Sequence, residues 1–438
     1  IGPKAEALRA FGTILYHMGR LNEALEKYTE SLDLYESMGD LQNVAMLRME
    51  LGLVHMDMGR YTQSLNYYQQ SLNYWRETNS TMRVATLYNN MAVLYHLMGD
   101  YSQAAAFYEE GLVQARKHNH FRTEAYILSG IGDLYTDLGA FDSAREAYHQ
   151  AREIAQKIDY RFLLIYLDLV KAAHARRKGD LTIGRNYLNS AENLVKDSKS
   201  GYEHTIYQLE DGRMNRAEGN VGEAIQKIAE AARSLEDGGQ KAEAARAYLH
   251  LAMTVFEQAD ISGAIKHLEY AVHLASGLDS QHVLIVAGLE AIDFLLAVKS
   301  EPYRCPLADD LYTQVIRFEK SIPSLRRRLR PYISSVPFVP PKLSIQAFGR
   351  AIVELDGKPV TTPEWQNQKR VREFFFYMMA HPDGSTKDEI GVAFWPESSA
   401  GQLKLQFKNV IYRLRFSLGQ DVISFQDDLY WFNLQLDY

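Results

Sequence analysis

The chain has 438 residues, 46% hydrophobic and 24% charged, which is enough apolar material for two or three packed domains and too much for a disordered chain. Its 48 basic and 55 acidic residues leave a formal net charge of -7, so no global field points to nucleic acid or to a membrane surface. A single cysteine, Cys305, excludes a disulfide framework and a thiolate metal cluster and suits a reducing cytoplasm, and no apolar run reaches the roughly 18 to 20 residues that span a bilayer. The sequence opens on Ile1 without a charged-then-apolar signal segment, which leads us to expect a further segment upstream of it.

From the first residues a forty-residue rhythm runs through the chain. Gly19, Gly59, Gly99, Gly139, Gly179 and Gly219 follow one another at that interval, and Ala259 continues the series. Two positions after each stands an apolar residue (Leu21, Tyr61, Tyr101, Phe141, Leu181, Val221, Ile261). Five after stands a small one (Ala24, Ser64, Ala104, Ala144, Gly184, Ala224, Ala264), and nine after a bulky one (Tyr28, Tyr68, Tyr108, Tyr148, Leu188, Ile228, Leu268). This spacing suits a pair of antiparallel helices with a tight turn. The glycine closes the first helix with a positive φ, the small residue lets the second approach it, and the bulky residue fills the gap one turn later. One pair cannot bury its apolar stripe alone, so the pairs must stack.

Leu51-Gly52, Gly59-Arg60-Tyr61, Ser64, Tyr68 and Ser71 resemble the tetratricopeptide-repeat skeleton, and the resemblance covers about residues 5 to 280. It implies a mainly α chain: a TPR-like right-handed α-solenoid of about seven 40-residue helix pairs in residues 1–280. A forty-residue period implies longer helices than the family's usual one, as in the regulatory repeats of large bacterial signal-responsive transcription factors. The resemblance also implies a concave groove lined by the first helix of each pair. At the matching positions stand Met46, Met49, Met56, Asn89, His96, Tyr126, Ser129, Asp133, Asp137, Arg176, Arg213 and Arg216. These would hold a peptide or protein segment, with aspartates and arginines clamping opposite charges; a solvated inner face with methionine as filler is the alternative.

After Gln281 the rhythm stops. Residues 282–298 read as one buried helix and 307–321 as an amphipathic one, together capping the last repeat. Lys320, Arg326, Arg327, Arg328 and Arg330 follow without an acid among them, and the run from Val336 to Pro341 reads as a semi-rigid linker, so residues 281–341 form a cap and linker.

From Lys342 the pattern turns strand-like: Leu343 to Gly349 and Ala351 to Leu355, with the turn dipeptide Asp356-Gly357. A helix over 368–380 carries Val371, Phe374, Phe375, Met378 and Met379 on one face. Thr386 with Glu389 and Ser399 with Gln402 are capping boxes, opening a short helix that ends at Trp395-Pro396 and a long one from Ala400 to Leu418. Val422 to Phe425 and Leu429 to Leu436 flank Gln426-Asp427-Asp428 as a terminal hairpin.

The wording Leu343-Ser-Ile, Phe348-Gly349, Trp365, Lys369-Arg370-Val371-Arg372-Glu373, His381-Pro382, Trp395-Pro396 and Tyr412-Arg413-Leu414-Arg415 resembles the DNA-binding domain of OmpR-type response regulators. More closely, it resembles the SARP/MalT-like signal-responsive bacterial activators, which couple such a domain to tetratricopeptide-like repeats. The resemblance implies an α+β winged-helix domain over 342–438 that binds double-stranded DNA. Relatives with an upstream ATPase module are the nearest whole-chain analogy; this sequence holds no G-x-x-x-x-G-K loop, so such a module would lie outside it.

On the 400–418 helix Phe407, Ile411, Leu414 and Leu418 fall within one arc and face the core. Lys404, Lys408 and Arg415 lie on one flank, Gln406 and Arg413 on the other, and Asn409 and Tyr412 point outward, a set suited to the major groove. Arg415 and Lys369 suit phosphate positioning. Against this, residues 342–438 hold 11 Lys and Arg and 12 Asp and Glu, a net of -1, and Asp427 and Asp428 at the wing tip would repel phosphate. Phe416 offers an outward ring for contact with RNA polymerase or a second copy of the chain.

No nucleophile-elbow sequence is present, and His118 and His120 lack a carboxylate or thiol at ligand spacing, so the expectation is a non-enzymatic cytoplasmic regulator without metal or cofactor. The competing expectation is an adaptor scaffold whose winged helix docks protein and binds no DNA.

Overall fold

The computed structural model describes residues 1–339, 343–349, 351–355, 357–419, 422–426, 428–433 and 438. Lys342, Asp356, Asp427 and the 434–436 part of the expected final strand lie outside them. The chain divides into two compact units, residues 1–319 with 329–337, and residues 320–328 with 338–438.

In the first unit the forty-residue rhythm becomes seven helix pairs: α1 (Gly2–His17) with α2 (Leu21–Met38), α3 (Leu41–Asp57) with α4 (Tyr61–Glu77), α5 (Thr81–Met98) with α6 (Tyr101–Lys117), and α7 (Phe121–Asp137) with α8 (Phe141–Lys157). Then follow α9 (Arg161–Lys178) with α10 (Leu181–Val195), α11 (Gly201–Ala217) with α12 (Val221–Gly238), and α13 (Lys241–Glu257) with α14 (Ile261–Ser276). Every turn of the glycine series is left-handed, from Gly19 at φ 78° to Gly219 at 86°, and Ala259 keeps the conformation at 62°. At Gly59 the turn closes with Gly59 N–H to Met56 C=O at 2.9 Å and Arg60 N–H to His55 C=O at 2.8 Å, which satisfies two helix-end carbonyls.

The bulky residue of each turn packs against a small residue of the preceding helix. Tyr68 is fully buried over Gly52, where an added Cβ would lie 2.4 Å from its ring, and Tyr148 stands in the same relation to Gly132. Such close approach is possible only without a side chain at the contact, and it sets the spacing within these two pairs.

The stack also returns upon itself. Gln240 Nε2 donates to Gly19 C=O at 3.1 Å, 221 residues away, and Thr62 N–H donates to Asp279 Oδ2 at 2.7 Å, 217 away. Ser200 Oγ donates to His17 C=O at 3.0 Å. The ends of early inner helices therefore meet the starts of α11 and α13 and the segment after α14.

Past the repeats the expected helix over 282–298 is two: α15 (His282–Gly288) and α16 (Ile292–Lys299). The break between them points Glu290 toward Arg176 and Arg213, and Gly288 accommodates Val315 of α17 (Pro306–Leu329), since a Cβ there would sit 2.3 Å from Val315 Cγ2.

In the second unit β1 (Leu343–Gln346), β2 (Ile352–Leu355) and β3 (Lys358–Pro359) form an antiparallel sheet in that order, with Leu343 opposite Leu355. Then come α18 (Pro363–Gln366), α19 (Lys369–Ala380), β4 (Ser385–Thr386), α20 (Lys387–Phe394), α21 (Ala400–Leu418), β5 (Ile423–Gln426) and β6 (Leu429–Phe432). The second sheet has the order β4-β6-β5. Both capping boxes form: Thr386 with Glu389, and Ser399 with Gln402. The core gathers Phe374, Phe375, Met378, Ile390, Phe407, Leu414 and Phe432 between helices and hairpin. Neither β3 nor α18 was legible beforehand; each is four residues or shorter, too brief for a periodic signal.

Candidate functional site

Two charged networks occupy the inner side of the repeat stack. In the first, Tyr16 donates to Asp57 Oδ2 at 2.8 Å, Tyr202 to Glu243 Oε1 at 2.8 Å and Tyr148 to Asp133 Oδ1 at 2.7 Å. His96 Nε2 lies 2.8 Å from Asp137 Oδ2, and Tyr101 is 3.4 Å from the same oxygen and 2.8 Å from His282 Nε2. These residues come from α1, α3, α5, α6, α7, α8, α11, α13 and α15, so they converge only because the superhelix turns. Burial pushes the Asp57 carboxyl up to about 7, with the Tyr16 hydroxyl opposing and the nearby Glu243 charge adding to the rise. Burial likewise pushes Asp133 to about 6 against the hydroxyls of Tyr148 and Tyr166. Burial also works to raise Asp137, but the charge and hydrogen bond of His96 more than offset it, and Asp137 ends below the usual carboxylate range. His96 rises in return, the pull of Asp137 exceeding the opposing effect of burial.

The second network is cationic. Arg176 Nε lies 3.0 Å from Glu210 Oε1 and its Nη1 3.0 Å from Glu290 Oε2. Arg213 reaches the other oxygens of the same two glutamates, each at 2.7 Å, and Arg177 Nη2 stands 2.5 Å from Glu290. The Arg176 side chain is 9% exposed and that of Glu210 6%. Burial tends to raise Glu290, yet the three guanidiniums hold it well below the ordinary range. Burial, joined by the like charge of Arg176, lowers Arg213 to about 10. Arg216 pairs separately with Glu257 at 2.7 Å.

The remaining groove positions fall as follows. Met49 and Met56 are buried in the packing, at 5% and 8% exposure, and Met46 is half-buried beside them. Asn89 Nδ2 donates to Asn90 Oδ1 at 3.4 Å, Tyr126 and Tyr160 hydroxyls meet at 2.6 Å, and Ser129 Oγ donates to Ala125 C=O. Aspartates and arginines thus belong to different networks, and the arginines are already paired. Sequence reasoning missed the partners Asp57, Tyr202, Glu210, Glu243 and Glu290. Glu210, three residues before Arg213 on α11, was the one visible at helical spacing.

In the second unit α21 buries Phe407, Val410, Ile411, Leu414 and Leu418. Lys404, Lys408 and Asn409 are exposed and Arg413 half-exposed, and among the described residues none of the four has an ion pair or hydrogen-bonding partner. Gln406 accepts from Ser398 Oγ at 3.2 Å. Arg415 is half-buried and donates through Nη2 to Ile423 C=O at 2.9 Å, which ties α21 to the hairpin. Lys369 is exposed and 3.2 Å from Glu373 one turn on. Tyr412 is 66% exposed, and Leu405 and Phe416, at 62% and 58%, share its side of the helix. Leu405 was absent from the sequence reading, although its offset of seven from Tyr412 puts both on one face.

Residues 43–117 match the tetratricopeptide repeat family model. No curated protein matches the chain. Among solved structures, the Rap conjugation gene regulator of the plasmid pLS20, in complex with the Phr* peptide, is similar at 12% identity and a TM-score of 0.54, over 60% of this chain and 72% of that one. A Rap protein complexed with Competence and Sporulation Factor is similar at 13% identity and a TM-score of 0.52, over 62% of this chain and 75% of that one. At these identities the likeness is one of fold, a TPR-like helical solenoid.

Proposed function

We propose that the chain is a non-enzymatic regulator: the repeats take up a peptide or protein segment, and the C-terminal unit, an OmpR-like winged helix, binds double-stranded DNA. The observation that carries the second half is the outer face of α21, where Lys404, Lys408, Asn409 and Arg413 stand without partners among the described residues. Cations on a helix of major-groove width, held by a capping box and a packed inner face, suit phosphate and base-edge contact. The order of sheet, the one-turn helix α18, the three longer helices α19, α20 and α21, and hairpin supports the same reading. For the first half, the support is the inner polar surface of a solenoid whose similar structures include one in complex with the Phr* peptide and one complexed with Competence and Sporulation Factor.

The test is binding of the full chain to a pool of random duplexes, followed by fluorescence anisotropy. Arg413→Ala should weaken binding by about 1 to 3 kcal/mol if it reads a base. Unchanged affinity removes this face from the interface.

A second reading is favoured by Leu405, Tyr412 and Phe416, an exposed apolar stripe beside those cations. Such a stripe suits docking onto another protein, RNA polymerase or a second copy of the chain. If it is the whole function, Leu405→Ser abolishes a protein contact and no duplex binds at any salt.

A further inference from the structure

The arginine network holds three guanidiniums, Arg176, Arg177 and Arg213, against two carboxylates, Glu210 and Glu290. His250 adds no charge, because burial first and then the Arg213 guanidinium hold it well below its ordinary range. The count leaves one positive charge in excess. Two of its donors, Arg176 Nη2 and Arg213 Nε, are buried and have no hydrogen-bond partner among the described residues. A buried guanidinium N–H without an acceptor is costly, and a surplus charge more so, so the network is short of one acceptor.

The two carboxylates differ in origin. Glu210 lies on α11 itself, within the repeats. Glu290 stands in the turn between α15 and α16, and reaches Arg176 across 114 residues and Arg213 across 77. Its position is therefore set by a short turn outside the repeat stack. Arg177, with its side chain 30% exposed, opens the network to solvent on the Glu290 side.

We propose that Arg176, Arg177 and Arg213 form a carboxylate-binding site, occupied in this state by Glu290, and that a ligand's carboxylate takes the place of Glu290. The ligand chemistry is a carboxylate on a peptide, from its C-terminus or from an Asp or Glu side chain. The source of that carboxylate rests on the peptide reading given above; the site itself does not.

Chemical rescue of the full chain tests it. Glu290→Ala should lower the midpoint of thermal unfolding by roughly 5 °C. Formate should then raise the midpoint with the logarithm of its concentration, while chloride at equal ionic strength does not. Formate should leave the wild type and the double variant Arg213→Ala, Glu290→Ala unmoved. If Glu290→Ala does not fold on its own, its refolding in formate against chloride at equal ionic strength is read in the same way. Formate acting no better than chloride, or acting equally on the double variant, overturns the site. N-acetylglycinate and N-acetylaspartate methylamide then separate a terminal from a side-chain carboxylate by which rescues at lower concentration, and failure of both also overturns it. Rescue of Glu290→Ala in a chain that captures no peptide from a random library would keep the site and retire the peptide reading.

Discussion

Arg176 and Arg213, inside the repeats, each hydrogen-bond two glutamates, whereas Lys404, Lys408 and Arg413 on α21 find no acid among the described residues. Both sets are cations on helices, and residue type alone does not tell them apart. Their surroundings do. Around Arg176 and Arg213 the stack and the turn that follows it supply Glu210 and Glu290, and a charge taken from water must be paired to be tolerated. On α21 the cations face solvent and keep their hydration, so a phosphate can compete for them without breaking a bond the fold needs. Pairing thus marks a charge that a ligand reaches only by displacing an internal partner, as at Glu290, and its absence on a well-packed helix marks one that a ligand can meet without such displacement.

The contrast is sharpest for deletion of a single cation. Arg152 is hydrogen-bonded to Asp168, a carboxylate with no exposure that also accepts from Ser190 Oγ at 2.7 Å. Arg152→Met should cost about 3 to 5 kcal/mol of stability, read by urea unfolding, because it strands a buried charge. Lys408→Ala should change stability by no more than about 0.5 kcal/mol. A comparable loss in both variants would erase the distinction. Next, Gly132→Val places its Cβ 2.4 Å from the ring of Tyr148 and should cost about 1 to 3 kcal/mol, while Gly139→Ala, at a turn with open space around it, tests backbone strain alone. Ser399→Ala removes the cap that opens α21 and should cost about 1 kcal/mol in the second unit.

The shallowest response is to pH. Asp57 and Asp133 bind their protons more tightly folded than unfolded, since burial raises both, to about 7 and about 6. Their contribution is therefore most favourable below the unfolded carboxylate range and is lost as pH rises through 6 to 7. Asp57→Asn and Asp133→Asn should gain stability relative to wild type over that interval in pH-dependent thermal melts. The His96–Asp137 pair behaves differently: Asp137 is lowered and His96 raised, so its contribution fades as pH falls through the Asp137 range or rises through that of His96. A variant-minus-wild-type difference that stays flat from pH 4 to 8 would show that Asp57 and Asp133 are as solvated folded as unfolded.

The helix pairs were legible because their signal is local and repeated: a glycine or Ala259 where φ must be positive, a small residue and a ring at fixed offsets. A second left-handed turn, halfway through the period at Gly39, Asn79, Asn119, Asp159 and Gly239, was equally present in the letters and went unread. The capping boxes and the buried face of α21 were also legible, because both are properties of one helix. The return of the stack upon itself was not, since it depends on small rotations summed over several repeats. With it the convergence of Tyr16, Asp57, Tyr202 and Glu243 was hidden, as was the reach of Glu290 across 114 residues to Arg176. The single helix expected over 282–298 failed for a related reason: its break sets Glu290 into a long-range ion pair, which local apolar periodicity does not register.

The most direct measurement of whether α21 meets duplex DNA is the salt dependence of full-chain binding to a duplex, compared between wild type, Lys404→Ala and Lys408→Ala. The account predicts that the logarithm of the affinity falls linearly with that of salt concentration, and that losing either lysine, where it contacts phosphate, reduces the slope by about 1. Binding whose slope both variants leave unchanged, or no binding at the lowest salt, would contradict it.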